Sequence, residues 1–117
     1  MSKGKAKPGE TANIDVVERL FEVIESRRGK DPETSHTAKL FSRGRGKICQ
    51  KLGEEAVETI VAALDEKPKH VARESADLLY HLLVLWAEVG LKPGQIWAEL
   101  EAREGISGIE EKRSRKA

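Results

Sequence analysis

From Ile14 onward the apolar positions Val16, Val17, Leu20, Phe21 and Ile24 recur at three- and four-residue steps, the period of a helix with one buried face. Asn13 stands where an N-cap would, and this helix is expected to end near Gly29. Gly29, Asp31, Pro32 and Ser35 mark a loop, after which Thr37 to Phe41 suggests a short helix before Gly44 and Gly46. Ser35 and Thr37 are candidate caps for it. A long helix is expected from about Lys47 to Asp65, and a second from Pro68 to Gly90, with proline in the first turn and glycine at the C-cap. These two form an antiparallel hairpin. Pro93 opens a last helix through about Arg103. No stretch alternates as a half-buried strand does, so the expected fold class is all-α, a bundle of four to five helices. Residues 1–12 read as a disordered arm, 13–106 as the domain, and 107–117 as a polar tail.

A chain of 117 residues with 38% apolar content suits one domain with one core. Its apolar residues cluster instead of spreading evenly, which favours a homodimer or a higher homo-oligomer. The densest apolar run, Leu78 to Ala87, is interrupted by Tyr80 and His81 and is too short to span a bilayer, so no membrane role is expected. Net charge is +1 although 35% of residues are charged, so charge placement carries the information. A continuous basic face with aromatic platforms is missing, which argues against nucleic acid as a partner. The single cysteine, Cys49, cannot form an internal disulfide, and no apolar run follows the basic start as in a signal peptide; cytoplasm is expected. Cys49, Trp86 and Trp97 read as packing residues. No zinc spacing, Walker loop or glycine fingerprint is present.

The chemistry concentrates in Gly53-Glu54-Glu55-Ala56-Val57-Glu58 and, on the next helix, Glu74-Ser75-Ala76-Asp77. At about 100° per residue, Glu54, Glu55 and Glu58 share an arc roughly 100° wide, and Glu74 and Asp77 lie within roughly 60° of each other. Ile48, Leu52, Val57, Ile60, Val61 and Leu64 occupy much of the remaining circumference of the first helix, which predicts an acidic arc bordered by buried positions. Carboxylates gathered there repel one another by several kcal/mol at an effective dielectric near ~20 unless cations intervene. Oxygen donors without imidazole or thiolate select hard cations, and few ligands per ion leave room for water and phosphate, so the expected cofactor is Mg2+. Glu54, Glu55, Glu58, Glu74 and Asp77 are the candidate catalytic and metal-binding residues. The competing reading is a solvated acidic face, with Lys51 pairing one turn before Glu54 and Glu55.

Lys39, Arg43, Arg45, Lys47 and Lys51 precede or interleave the acids and suit a phosphate-rich ligand. Lys51, on the acidic arc, is the first candidate for substrate binding, followed by Lys39, then Arg43. His81, one turn beyond Asp77, is a further candidate, against a role as a hydrogen-bonded core histidine. Gly53 inside a helix suggests close approach of a backbone or of substrate beside Glu54.

With these residues in view, the sequence resembles the phosphoribosyl-ATP pyrophosphatases of the all-α, MazG-like nucleotide pyrophosphatase superfamily, from about Leu20 to Arg113. The two acidic blocks are similar to the superfamily's EExxE and ExxD metal motif. Ser35-His36-Thr37-Ala38-Lys39-Leu40-Phe41, the run Ala76-Asp77-Leu78-Leu79-Tyr80-His81-Leu82-Leu83-Val84-Leu85 and Ser107-Gly108-Ile109-Glu110-Glu111-Lys112 resemble the histidine-pathway branch. The resemblance implies magnesium-dependent hydrolysis of phosphoribosyl-ATP to phosphoribosyl-AMP and pyrophosphate in a cytoplasmic oligomer. Two alternatives stand beside it: a house-cleaning hydrolase of ordinary or damaged nucleoside triphosphates, and a non-enzymatic helical binding module.

Overall fold

The structure, a computed structural model, describes residues 12–105 together with 113 and 115. Most of the expected N-terminal arm, and Ser107–Lys112 of the expected tail, lie outside the described residues. Five helices follow one another: α1 Asp15–Ser26, α2 His36–Arg43, α3 Arg45–Leu64, α4 Pro68–Val89 and α5 Pro93–Arg103. No strand occurs among the described residues. The all-α expectation holds, with helix ends within about three residues of those expected from local chemistry.

Those ends have local causes. Ser35 Oγ accepts the backbone N–H of Ala38 at 3.1 Å and caps α2. Pro68 and Pro93 start α4 and α5, where a missing N–H costs nothing. Gly90, at φ 85°, closes α4, with Leu91 N–H donating to the Trp86 carbonyl at 2.8 Å and Gly90 N–H to that of Ala87 at 3.3 Å. At α1 the structure departs from expectation. Ile14, already helical in backbone angles, occupies the cap position, and Asn13 acts one residue earlier, its Oδ1 accepting the Asp15 N–H at 2.9 Å.

Helix α4 is the spine. It packs along α3 as a hairpin, and its Leu83, Val84, Trp86 and Ala87 meet Val17, Phe21 and Ile24 of α1, Leu40 of α2 and Ile48 of α3 in one core. Polar contacts pin the edges: Trp97 Nε1–H donates to Glu18 Oε2 at 2.8 Å, joining α5 to α1, and Lys92 pairs with Glu25 at 2.9 Å. Arg28 donates to the Ala87 carbonyl and lies 4.5 Å from the Phe41 ring centroid.

Two expectations are corrected here. The apolar arc of α3 is not buried: Val57, Ile60, Val61 and Leu64 are 58%, 58%, 50% and 77% exposed, and Ile48 is its one large buried side chain. A helix of a hairpin is covered along the stripe that meets its neighbour, and α2 reaches only the start of α3, so the second stripe has no cover among the described residues. Cys49 is likewise exposed, not packed. No helix among the described residues is long and apolar enough to cross a membrane.

Candidate active site

The hairpin brings the two acidic blocks together. Glu55 and Glu58, one turn apart on α3, face Glu74 on α4, and one carboxylate oxygen from each lies within 4.8 Å of the others. Glu55 Oε2 is buried and has no hydrogen-bond partner among the described residues. Burial, foremost, pushes the Glu55 carboxyl up to about 7; contact with the Glu58 carboxyl and the charges of Glu58, Asp77 and Glu74 add to the rise. Asp77, one turn after Glu74, is exposed at the rim of this group and acts on it through its charge.

Glu54 does not join them. About 100° around the helix from Glu55, it accepts Gln50 Nε2–H at 2.9 Å and Lys51 Nζ at 3.2 Å. These two bonds, Gln50 first, hold its carboxyl below the usual range. The donor set of Glu55, Glu58 and Glu74 fits a hard cation: three oxygens, no imidazole or thiolate, and one buried oxygen left unsatisfied.

His81 lies behind the acids, buried in α4. Its Nδ1–H donates to the Asp77 carbonyl at 2.8 Å, while Nε2 is buried without a partner among the described residues. Its ring meets Tyr80 edge-on at 5.0 Å between centroids, and Tyr80 shares a hydrogen bond with Thr37 of α2. Gly53 is open: among the described residues a Cβ there would meet nothing within 4 Å, so no described backbone approaches it.

Beside the acidic face, α2 and the start of α3 enclose a cavity of about 170 Å³ lined by His36, Lys39, Leu40, Arg43, Lys47 and Lys51. It gathers the three cations favoured as substrate contacts and adds His36 and Lys47. Burial, then the charges of His81, Lys51 and Lys39, hold the His36 imidazole below its ordinary value. The signal was present as helical spacing, His36 to Lys39 to Arg43 on one helix and Lys47 to Lys51 on the other. Their convergence depends on how the helices cross. Arg45 is elsewhere, 3.6 Å from Glu88.

An all-helical hairpin with converging carboxylates beside a cationic cavity suits one class of protein, an all-α hydrolase of phosphoanhydrides. A family model described as phosphoribosyl-ATP pyrophosphohydrolase matches residues 17–104, and the chain belongs to that family. It is 63% identical over 100 residues to the phosphoribosyl-ATP pyrophosphatase of Paramagnetospirillum magneticum, covering 86% of this chain and 92% of that protein. The protein of the same name from Rhodospirillum rubrum is 62% identical over 102 residues, covering 87% of each chain. That of Azospirillum brasilense is 57% identical over 102 residues, covering 87% of this chain and 92% of the relative.

Proposed function

We propose that this chain hydrolyses phosphoribosyl-ATP between its α and β phosphates, releasing phosphoribosyl-AMP and pyrophosphate, the second step of histidine biosynthesis. Family membership supports the substrate. The single structural observation behind the chemistry is the convergence of Glu55, Glu58 and Glu74 around an unsatisfied buried oxygen. These three residues would hold magnesium, with Asp77 at the rim. Bound there, the ion would supply Lewis acidity toward phosphate oxygens and depress the pKa of water. Carboxylates of the group left free of it take up the proton of the attacking water. Lys39, Arg43 and Lys51 offset the charge of the substrate's phosphates, and His81 steadies the turn carrying Asp77 through its bond to that residue's carbonyl.

Pyrophosphate release tests this reading, measured with phosphoribosyl-ATP and with a panel of ordinary nucleoside triphosphates, with and without magnesium. Turnover is expected only with phosphoribosyl-ATP and only with the metal. Comparable turnover of ordinary triphosphates would move the protein to the house-cleaning hydrolases.

The exposed stripe Val57, Ile60, Val61 and Leu64 supports a homodimer or higher homo-oligomer, since four large apolar side chains on one helix are costly to leave wet. Sedimentation equilibrium is expected to give at least twice the 13.0 kDa chain mass, falling to the chain mass for Ile60→Asp. A monomeric wild type would refute this assembly.

A further inference from the structure

Resting on the reading above, we propose that the cavity between α2 and the start of α3 seats the 5′-phosphate of the substrate's second ribose, and so sets the preference for phosphoribosyl-ATP over ATP. No carboxylate lines the cavity, and Lys39, Arg43 and Lys47 have no ion-pair partner among the described residues. Lys51 pairs with Glu54 at 3.2 Å, and Lys47 acts on the same carboxylate only through its charge at longer range. Cations crowded around one small space repel, and a bound dianion removes that repulsion. The adjoining end of α3 adds to the field: it has no side-chain cap and no acid of its own in its first turn.

Size and position select which phosphate. A space of about 170 Å³ lies below the ~300 Å³ at which pockets begin to enclose a drug-sized ligand, so it admits a phosphate and not a nucleoside. Along the α3 axis, the midpoint of its lining residues Lys47 and Lys51 is about 11 Å from that of Glu55 and Glu58, at ~1.5 Å per residue. With the reacting α phosphate at the carboxylates, the γ phosphate, only two bridging oxygens away, reaches no further than the Lys51 edge of the cavity and leaves the Lys47 end unfilled. The phosphate of the ribose on the far side of the purine is the anion with that reach. ATP carries the same triphosphate but lacks this group, so only phosphoribosyl-ATP fills both places.

Calorimetric titration of the full chain with phosphoribosyl-AMP and with AMP tests this without turnover. Wild type is expected to bind phosphoribosyl-AMP more tightly, and Lys47→Ala to shrink the ratio of the two affinities about 30-fold while AMP itself moves by less than about twofold. Lys47→Arg should retain most of the ratio, and an unchanged melting temperature excludes misfolding. An unaltered ratio, or equal weakening of both ligands, overturns the inference. If wild type keeps a Lys47-dependent ratio but releases no pyrophosphate from phosphoribosyl-ATP, the phosphate seat stands and the proposed reaction fails.

Discussion

Glu58→Gln is expected to lower kcat/KM for phosphoribosyl-ATP by on the order of 10³-fold while stabilising the metal-free protein. The substitution keeps the shape of the side chain but removes one of three converging negative charges. Without metal those charges repel across a partly buried space, so their reduction stabilises the fold by about 1 kcal/mol. A residue that merely supported the structure would lose activity and stability together. Retention of near wild-type activity would sink the assignment.

The same variant carries a pH signature. The Glu55 carboxyl, raised to about 7 in the folded chain, stays protonated where the unfolded chain has already ionised. Its contribution to stability is therefore fully present below the ordinary glutamate value and is lost as pH rises through about 7. A carboxamide at position 58 adds no charge and offers N–H donors to Glu55, which brings its carboxyl back down. Denaturant unfolding of chelator-treated protein at about pH 5 and about pH 8 should show a smaller loss across that window in Glu58→Gln than in wild type.

Ile48→Ala should produce the largest loss of stability of any single truncation on α3, about 3 kcal/mol by denaturant unfolding. Ile48 is fully buried, beside Leu40 of α2 and the α4 core residues, and it anchors the start of the helix that presents Lys47, Lys51 and the acids. A domain of this size has a net stability of only about 5–15 kcal/mol, so the loss is a large share of it. Because an oligomer adds concentration-dependent stability, the two proteins must be compared at equal concentration. A cost below about 1 kcal/mol would mean that α3 is held chiefly by its exposed stripe and a partner chain.

How far the site could be read in advance follows from the range of each interaction. Glu55, Glu58, Glu74 and Asp77 stand out because helical period places them on single arcs, and period is a property of the chain itself. Glu54 occupies the same block and looks equivalent until Gln50 and Lys51 are seen to engage it. The cationic cavity drew Lys39, Arg43 and Lys51 from their type and place, whereas His36 emerged as lining only once α2 lay against α3.

What the sequence determined by itself is the set of helices and their limits, because Ser35, Pro68, Gly90 and Pro93 act on backbone groups within a turn or so of their own positions. It also determined the oxygen-only chemistry of the acidic blocks, which residue type alone specifies. The tertiary structure decided which faces are covered and which groups meet. Ile48 enters the core and Ile60 does not, although both are isoleucines on one helix. Glu55 joins Glu58 and Glu74 while its neighbour Glu54 points to Lys51. Both outcomes depend on the rotation of α3 against α4, where about 100° separates adjacent residues, and no local interaction sets that rotation.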